Sequence, residues 1–345
     1  MLTSSKKLAS LILGLLLSMG ALAADPVAVN PAHPDRHVVV PGDTLWDISA
    51  KFLRDPWQWP NVWYVNPQIE NPHLIYPGDI ITLIYVNGQP VLSLQRGSLV
   101  KLSPRVRATS LDDAIPTIPL DAINQFLTRP FVMDKDEMES APYIVYFGDE
   151  HLMGGKDLRG YVRTIETTDN KRFDIVRPGD AYTDADTGEV LGYEALFIGN
   201  ADLHKTGDPA TVGFSNSELE ILKGDRLIPI TNEVQLENFH PKAPDTEIKG
   251  SIISVLNGVS QIGQYNVVVL DRGATNGLAA GDVLTIDHRG ETVRDVITED
   301  SADTVTLPDE PAGTLLVFRT FPRVSFGLVM DATRAIHVKD RVRNP

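Results

Sequence analysis

Two Pro-Gly-Asp tripeptides, Pro41-Gly42-Asp43 and Pro77-Gly78-Asp79, constrain this chain more than any other feature. The first ends the β-branched run Val38-Val39-Val40, and the second opens the apolar run from Ile80 to Val86. Proline removes a ladder donor, glycine takes a positive φ and aspartate bonds back to the backbone, so each tripeptide marks a tight turn at a strand end. After the first turn, Thr44 with Asp47 three residues on matches a helix capping box, and Leu45, Ile48 and Phe52 share one helical face. A second short helix is expected from about Pro56 to Val65, with Trp59, Val62 and Trp63 on one side. Residues 36–86 therefore read as strand, helix, helix, strand.

If those strands pair antiparallel, both turns lie at one end of a small βααβ unit and form a shallow groove. Its chemistry is main-chain N–H and C=O groups flanked by Leu45, Leu74, Ile75 and Tyr76. An acetamido group needs one donor, one acceptor and a dry wall for its methyl, so the groove suits N-acetylhexosamines without any charge.

Ahead of this unit, Lys6 and Lys7 precede a Leu-rich run that ends in Ala21-Leu22-Ala23, which predicts a secretory signal peptide cut after Ala23. Cleavage takes the formal net charge from −15 to −17, which disfavours phosphate backbones and anionic lipid surfaces and leaves neutral sugars open. No cysteine is present, so in an exported chain stability must come from buried cores. No later stretch is apolar for long enough to span a membrane, so the mature chain is expected to be soluble and periplasmic. His33 and His37 are spaced by four, but Pro34 between them argues against a helical metal pair.

Beyond residue 86 the signal weakens, with a strand-like Pro90 to Leu94 and a short helix expected over 120–127. Past Pro142 come short apolar runs separated by Gly, Asp and Asn, at 143–147, 173–176, 189–198, 227–230, 252–256, 266–270, 283–286, 314–318 and 325–330. These predict antiparallel sheets, divided into two modules near Pro241-Lys242-Ala243-Pro244. The stretches at 220–230 and 277–286 echo each other, but Gly-Asp occurs seven times, and a recurring turn-to-strand entry explains it.

"HVVVPGDTLWDISAKFL" with "NVWYVNPQIENPHLIYPGDIITL" resembles a LysM module, the peptidoglycan- and chitin-binding fold, over about 50 residues. Ligand contacts in that family lie in the two loops, so the resemblance implies peptidoglycan-binding residues Gly42, Asp43, Thr44 and Leu45, with Leu74, Ile75, Tyr76 and Pro77. An insertion-like "RDPWQWP" departs from the family and bears on the groove width. All four tryptophans fall in this unit; Trp46 and Trp63 are expected in its core, and Trp57 is expected to be the most exposed ring. Residues 174–203, 259–286 and 313–345 resemble the secretin-associated LysM proteins of type IV pili, the TsaP family, with a C-terminal region akin to the flagellar protein FlgT. That resemblance implies an outer-membrane secretin as partner, with no residue assigned to it.

The chain thus divides into signal peptide 1–23, linker 24–35, LysM unit 36–86, connector 87–142, β-rich module 143–240 and C-terminal β-rich module 246–345, an α+β fold class. No cofactor is implied. Because LysM modules often ride on wall hydrolases, a peptidoglycan hydrolase or hydrolase activator is the alternative to a non-enzymatic adaptor. The motifs oppose it: cysteine chemistry is unavailable, and His204 with Asp208 is only half of a zinc endopeptidase set. Ser98-x-x-Lys101 and Lys205-Thr206-Gly207 lack the middle box of a penicillin-binding site. A pair of carboxylates acting on a glycosidic bond leaves no local motif and stays open.

Overall fold

The computed structural model describes residues 27–63, 75–95, 115–127, 132–165, 169–230, 240–256, 261–295, 297–298 and 303–345; the expected signal peptide lies outside them. The fold is α+β: a small helix-and-sheet unit followed by antiparallel β-barrels. In the N-terminal unit β1 (Arg36–Val38) pairs antiparallel with β2 (Ile80–Val86), placing Val38 opposite Ile80. Between them run α1 (Leu45–Phe52), a 3-10 turn (Pro56–Gln58) and α2 (Trp59–Trp63). The "RDPWQWP" insertion is that 3-10 turn plus the start of α2, and the expected helix end at Val65 falls outside the described residues. A third strand, β3 (Gln89–Gln95), continues the sheet beyond residue 86. Asn87 and Gly88, with φ of 52° and 80°, supply the mirror-image turn that a two-residue hairpin needs to match strand twist. Ile48, Phe52, Trp59, Trp63, Ile81 and Leu92 fill the core of this unit.

Two six-stranded rings follow. The first runs β5 (Tyr143–Phe147), β6 (Arg159–Arg163), β9 (Ala210–Ser217), β8 (Val190–Lys205), β7 (Arg172–Thr183) and β10 (Arg226–Pro229), and β10 pairs back to β5. The second runs β11 (Lys249–Val255), β12 (Val267–Leu270), β17 (Ser325–Ala332), β16 (Glu310–Thr320), β13 (Val283–His288) and β18 (Arg341–Arg343), closing onto β11. Both follow the same circuit: first, second, fifth, fourth, third and sixth strand. The match extends to single bonds. Ile144 N donates to Asp225 O at 3.0 Å and receives Gly224 N on its own carbonyl at 2.8 Å; Ile252 stands the same way to Asp340 and Lys339, at 2.9 and 2.7 Å.

This corrects the sequence echo. The counterpart of the turn before β10 is the turn before β18, where Lys339 replaces glycine at φ 79°, and not the turn at 277–286. Gly-Asp makes the same turn at four of the seven sites; at three of them it enters a strand, as expected, and at the first it enters α1. At Val40–Asp43, Tyr76–Asp79, Leu222–Asp225 and Ala279–Asp282 the first residue donates its N–H to the Asp carboxylate, and the Asp N–H returns to the first carbonyl. His337–Asp340 repeats the arrangement without glycine.

A small two-stranded ribbon, β14 (Thr292–Arg294) with β15 (Thr304–Thr306), extends from the second barrel. α3 (Leu120–Leu127) spans the residues expected for it, while β4 (Val132–Met133) and α4 (Lys135–Ser140) border the first barrel, where β4 pairs with β8. Inside the second barrel lie Val268, Leu270, Leu284, Leu315, Val317 and Val329. Their strand neighbours Val267, Val269, Leu316, Phe318, Phe326 and Leu328 point outward, yet are buried with Trp46, Ile118, Ile123 and Phe126. The N-terminal unit and α3 therefore cover one outer face of the second barrel. Tyr265 Oη donates to Asp47 Oδ1 at 3.1 Å across that seam, and Arg319 Nη1 donates to Phe126 O at 2.8 Å. Burial, with the facing Asp47 carboxylate, pushes the Tyr265 hydroxyl up to about 12. Among the described residues no helix is long and apolar enough to cross a membrane.

Candidate functional site

The two Pro-Gly-Asp turns are built alike and clasped together. Gly42 and Gly78 hold φ of 94° and 95°, a conformation that a side chain disfavours. A Cβ at either would meet nothing within 4 Å, so backbone strain alone selects glycine there. Val39 N donates to Asp79 O, and Gly78 N donates to Val39 O, each at 2.8 Å. These bonds set the turns side by side at one end of the β1–β2 pair, as the antiparallel pairing requires.

Asp43 anchors the first turn. Its Oδ2 accepts from Val40 N at 2.9 Å and lies 2.7 Å from His37 Nε2. Burial works to raise this carboxyl, but the Val40 N–H, the His37 ring and Lys51 outweigh it and hold it below the usual carboxylate range. His37 thus braces the turn. Thr44 caps α1 by accepting from Asp47 N at 3.1 Å and donating its hydroxyl to Asp47 Oδ2 at 2.8 Å. Asp47 therefore takes the threonine side chain and not, as a full capping box would, its backbone N–H.

At the start of α1 the N–H groups of Leu45 and Trp46 have no partner within the helix, and across the cleft Ile75 offers a carbonyl. Two donors and one acceptor face the cleft, the polar complement of an amide chain. The cleft is filled from within the molecule. Leu45 N donates to Pro116 O at 3.0 Å, Trp46 N to Thr117 O at 3.1 Å, and Ile115 N donates to Ile75 O at 2.8 Å. Ile115, 4 % exposed, joins the core of the N-terminal unit; Ile118, 0 % exposed, joins the cluster on the second barrel.

Of the residues singled out in the sequence, Gly42, Asp43, Thr44 and Leu45 come together with Ile75, Tyr76 and Pro77 across the clasped turns. Leu74 lies outside the described residues. Tyr76 contributes its backbone, with its N–H on Asp79 Oδ2 at 3.0 Å. The Trp46 N–H as a donor at the cleft and the segment 115–118 were not foreseen; a signal existed in Ile115-Pro116-Thr117-Ile118-Pro119, since a residue before proline is biased to extended backbone.

The tryptophans depart from expectation in one respect. Trp46 is buried, but against the second barrel and not within its own unit. Trp57 is, as expected, the most exposed of the four rings, yet it is half-buried and packs on that same cluster, where it borders a crevice of roughly 460 Å³ with Asp47, Arg54, Gln264 and Met330. It is not a free platform. Trp63 lies in the core of its unit as expected, edge-on to Trp59 at 5.8 Å.

Of the enzyme-like fragments, His204 and Asp208 are engaged separately. Asp208 pairs with Arg163 Nε at 2.5 Å and accepts from Thr164 N, while His204 lines a separate depression with Asp149, Asp157 and Asp202. Ser98 and Lys101 lie outside the described residues. One cluster among the described residues has metal-ligand chemistry: His288, His337 and Asp340. Both oxygens of Asp340 are already engaged, Oδ1 by Arg289 N and His288 Nδ1 and Oδ2 by His337 N, which marks it as a turn anchor like Asp43.

Comparison with known proteins finds the LysM domain at residues 37–83. LysM domains bind N-acetylglucosamine-containing glycans such as peptidoglycan. No curated protein matches the chain.

Proposed function

We propose that this protein is a non-enzymatic periplasmic adaptor that grips peptidoglycan in the clasped-turn groove and anchors an outer-membrane secretin to the cell wall. The observation that carries the wall-binding half is that the Leu45 and Trp46 N–H donors and the Ile75 carbonyl acceptor face one cleft, within a LysM domain. Neutral main-chain groups read an acetamido ligand without charge, which agrees with the acidic balance of the chain. The secretin half rests on the resemblance of residues 174–203, 259–286 and 313–345 to the TsaP family, and on two barrels that carry no part of the groove. A single groove binds weakly, so a multisubunit partner that gathers many adaptors would raise attachment through avidity.

Two experiments test the proposal. Full-length protein without its leader should pellet with insoluble peptidoglycan, and Thr44→Trp should reduce the pelleted fraction, because Thr44 is buried at the groove and caps α1. Pelleting unchanged by that substitution would rule out the groove. Crosslinking in intact cells should recover an outer-membrane multimer; recovery of none rules out the anchoring half. Release of soluble muropeptides from sacculi would favour the hydrolase alternative instead.

A further inference from the structure

We infer that the groove is gated by the chain's own segment Ile115–Ile118, which occupies the amide positions of the ligand, so that glycan and segment exclude each other. The inference rests on the glycan-binding role of the groove and adds its regulation.

Three observations carry it. First, the segment uses the available polar groups: the carbonyls of Pro116 and Thr117 take the Leu45 and Trp46 donors, and Ile115 N takes the Ile75 carbonyl. An acetamido ligand offers the same kinds of group, a C=O whose two lone pairs can accept from both donors and one N–H, and cannot bond to groups already engaged. Second, the segment is anchored at both ends by apolar burial, Ile115 in the core of the LysM unit and Ile118 beside Trp46 on the second barrel. Third, it leads directly into α3, whose Ile123 and Phe126 lie on that barrel's outer face and whose Phe126 carbonyl is held by Arg319.

Displacing the segment from the groove therefore pulls on an element packed against the second barrel. A ligand whose competent site is open only part of the time binds with its affinity reduced by that open fraction. Linkage works both ways: whatever draws α3 off the barrel opens the groove, and glycan in the groove loosens α3. The second barrel is thus a lever on wall binding.

The test uses full-length protein, N-acetylglucosamine hexamer as probe, and Ile115→Pro, which removes the N–H bonded to Ile75. Ile118→Ser, which leaves all three main-chain bonds in place but weakens the barrel anchor, serves as the second variant. Both should bind the hexamer at least about tenfold more tightly than the unaltered chain. In the unaltered chain, saturating hexamer should strip hydrogen-exchange protection from the Ile115 amide while the Leu45 and Trp46 amides stay protected. Equal affinity in all three chains, with Ile115 still protected at saturation, overturns the gate and leaves the groove as binding site. Binding by none of them overturns both. The exchange readout on the unaltered chain decides the question even if a variant fails to fold.

Discussion

The two barrels share one strand circuit and one set of turn bonds, yet their outer faces differ. Leu316, on the fourth strand of the second barrel, is 0 % exposed, whereas Leu196, on the fourth strand of the first, is 40 % exposed. The second barrel is apolar on both sides because the LysM unit and α3 cover it; outside the first, Met133, Ala141, Val176 and Ala195 form a small covered cluster, and Tyr182 joins the cluster on the second barrel. A barrel needs its interior to fold. What it does with its exterior decides what it carries, and here the second barrel carries the glycan-binding unit while most of the first is left free.

Charge placed on the two outer faces should break the comparison most sharply. Leu316→Asp would bury an unpaired carboxylate and should cost about 3–5 kcal/mol, whereas Leu196→Asp should stay within about 0.5 kcal/mol, both read by denaturant unfolding. Trp46→Ala should come next, at about 3 kcal/mol from the cavity left at the seam. It should also split unfolding into two transitions as the LysM unit loses its seat, and a single unchanged transition would show that the seam is not a stabilising contact. A reciprocal exchange at the sixth-strand turn sharpens the likeness of the barrels: Lys339→Gly should stabilise, and Gly224→Ala destabilise, each by about 1 kcal/mol. Space is not the issue at Gly224, where a Cβ would meet nothing within 4 Å.

The smallest effect concerns the contact between the barrels. Asp184, on the turn between β7 and β8, pairs with Arg272 at 3.0 Å. The Thr187 N–H above all, with Arg272, holds its carboxyl at about 2, below its usual 3.8. A depressed carboxyl contributes stability that is present above its ordinary range and lost as pH falls toward about 2. The stability difference between the unaltered chain and Asp184→Asn should therefore be constant from neutral pH down to about 5, shrink below that and vanish only below about 2. A difference that persists in acid would mean that Asp184 acts through packing and not through its charge.

Much of the fold was legible because its signals are local. The capping threonine, the Asn-Gly hairpin and the Gly-Asp turns each satisfy neighbouring backbone groups, and the short apolar runs became strands near their expected places. What escaped the sequence depends on closure and docking. Runs such as Asn266 to Leu270 and Thr314 to Phe318 lack alternation, which signals burial on both faces, but nothing local says what covers the second face. Trp46 was correctly expected inside, and its partner was not foreseen, since those barrel residues lie more than 200 positions away. The strands at Arg159–Arg163 and Ala210–Ser217 carry too few apolar residues to stand out, although they complete the first ring. At the site, main-chain groups left readable turn residues, whereas the occupant of the cleft came from a proline-bracketed stretch that resembles an ordinary linker.

Following the backbone amide resonances of Leu45 and Trp46 while N-acetylglucosamine oligomer is added to full-length Ile115→Pro tests the central claim most directly. The account predicts saturable shifts at these two amides and around Ile75, with the amides of the first barrel unmoved. Saturable binding that leaves Leu45 and Trp46 unshifted would contradict it.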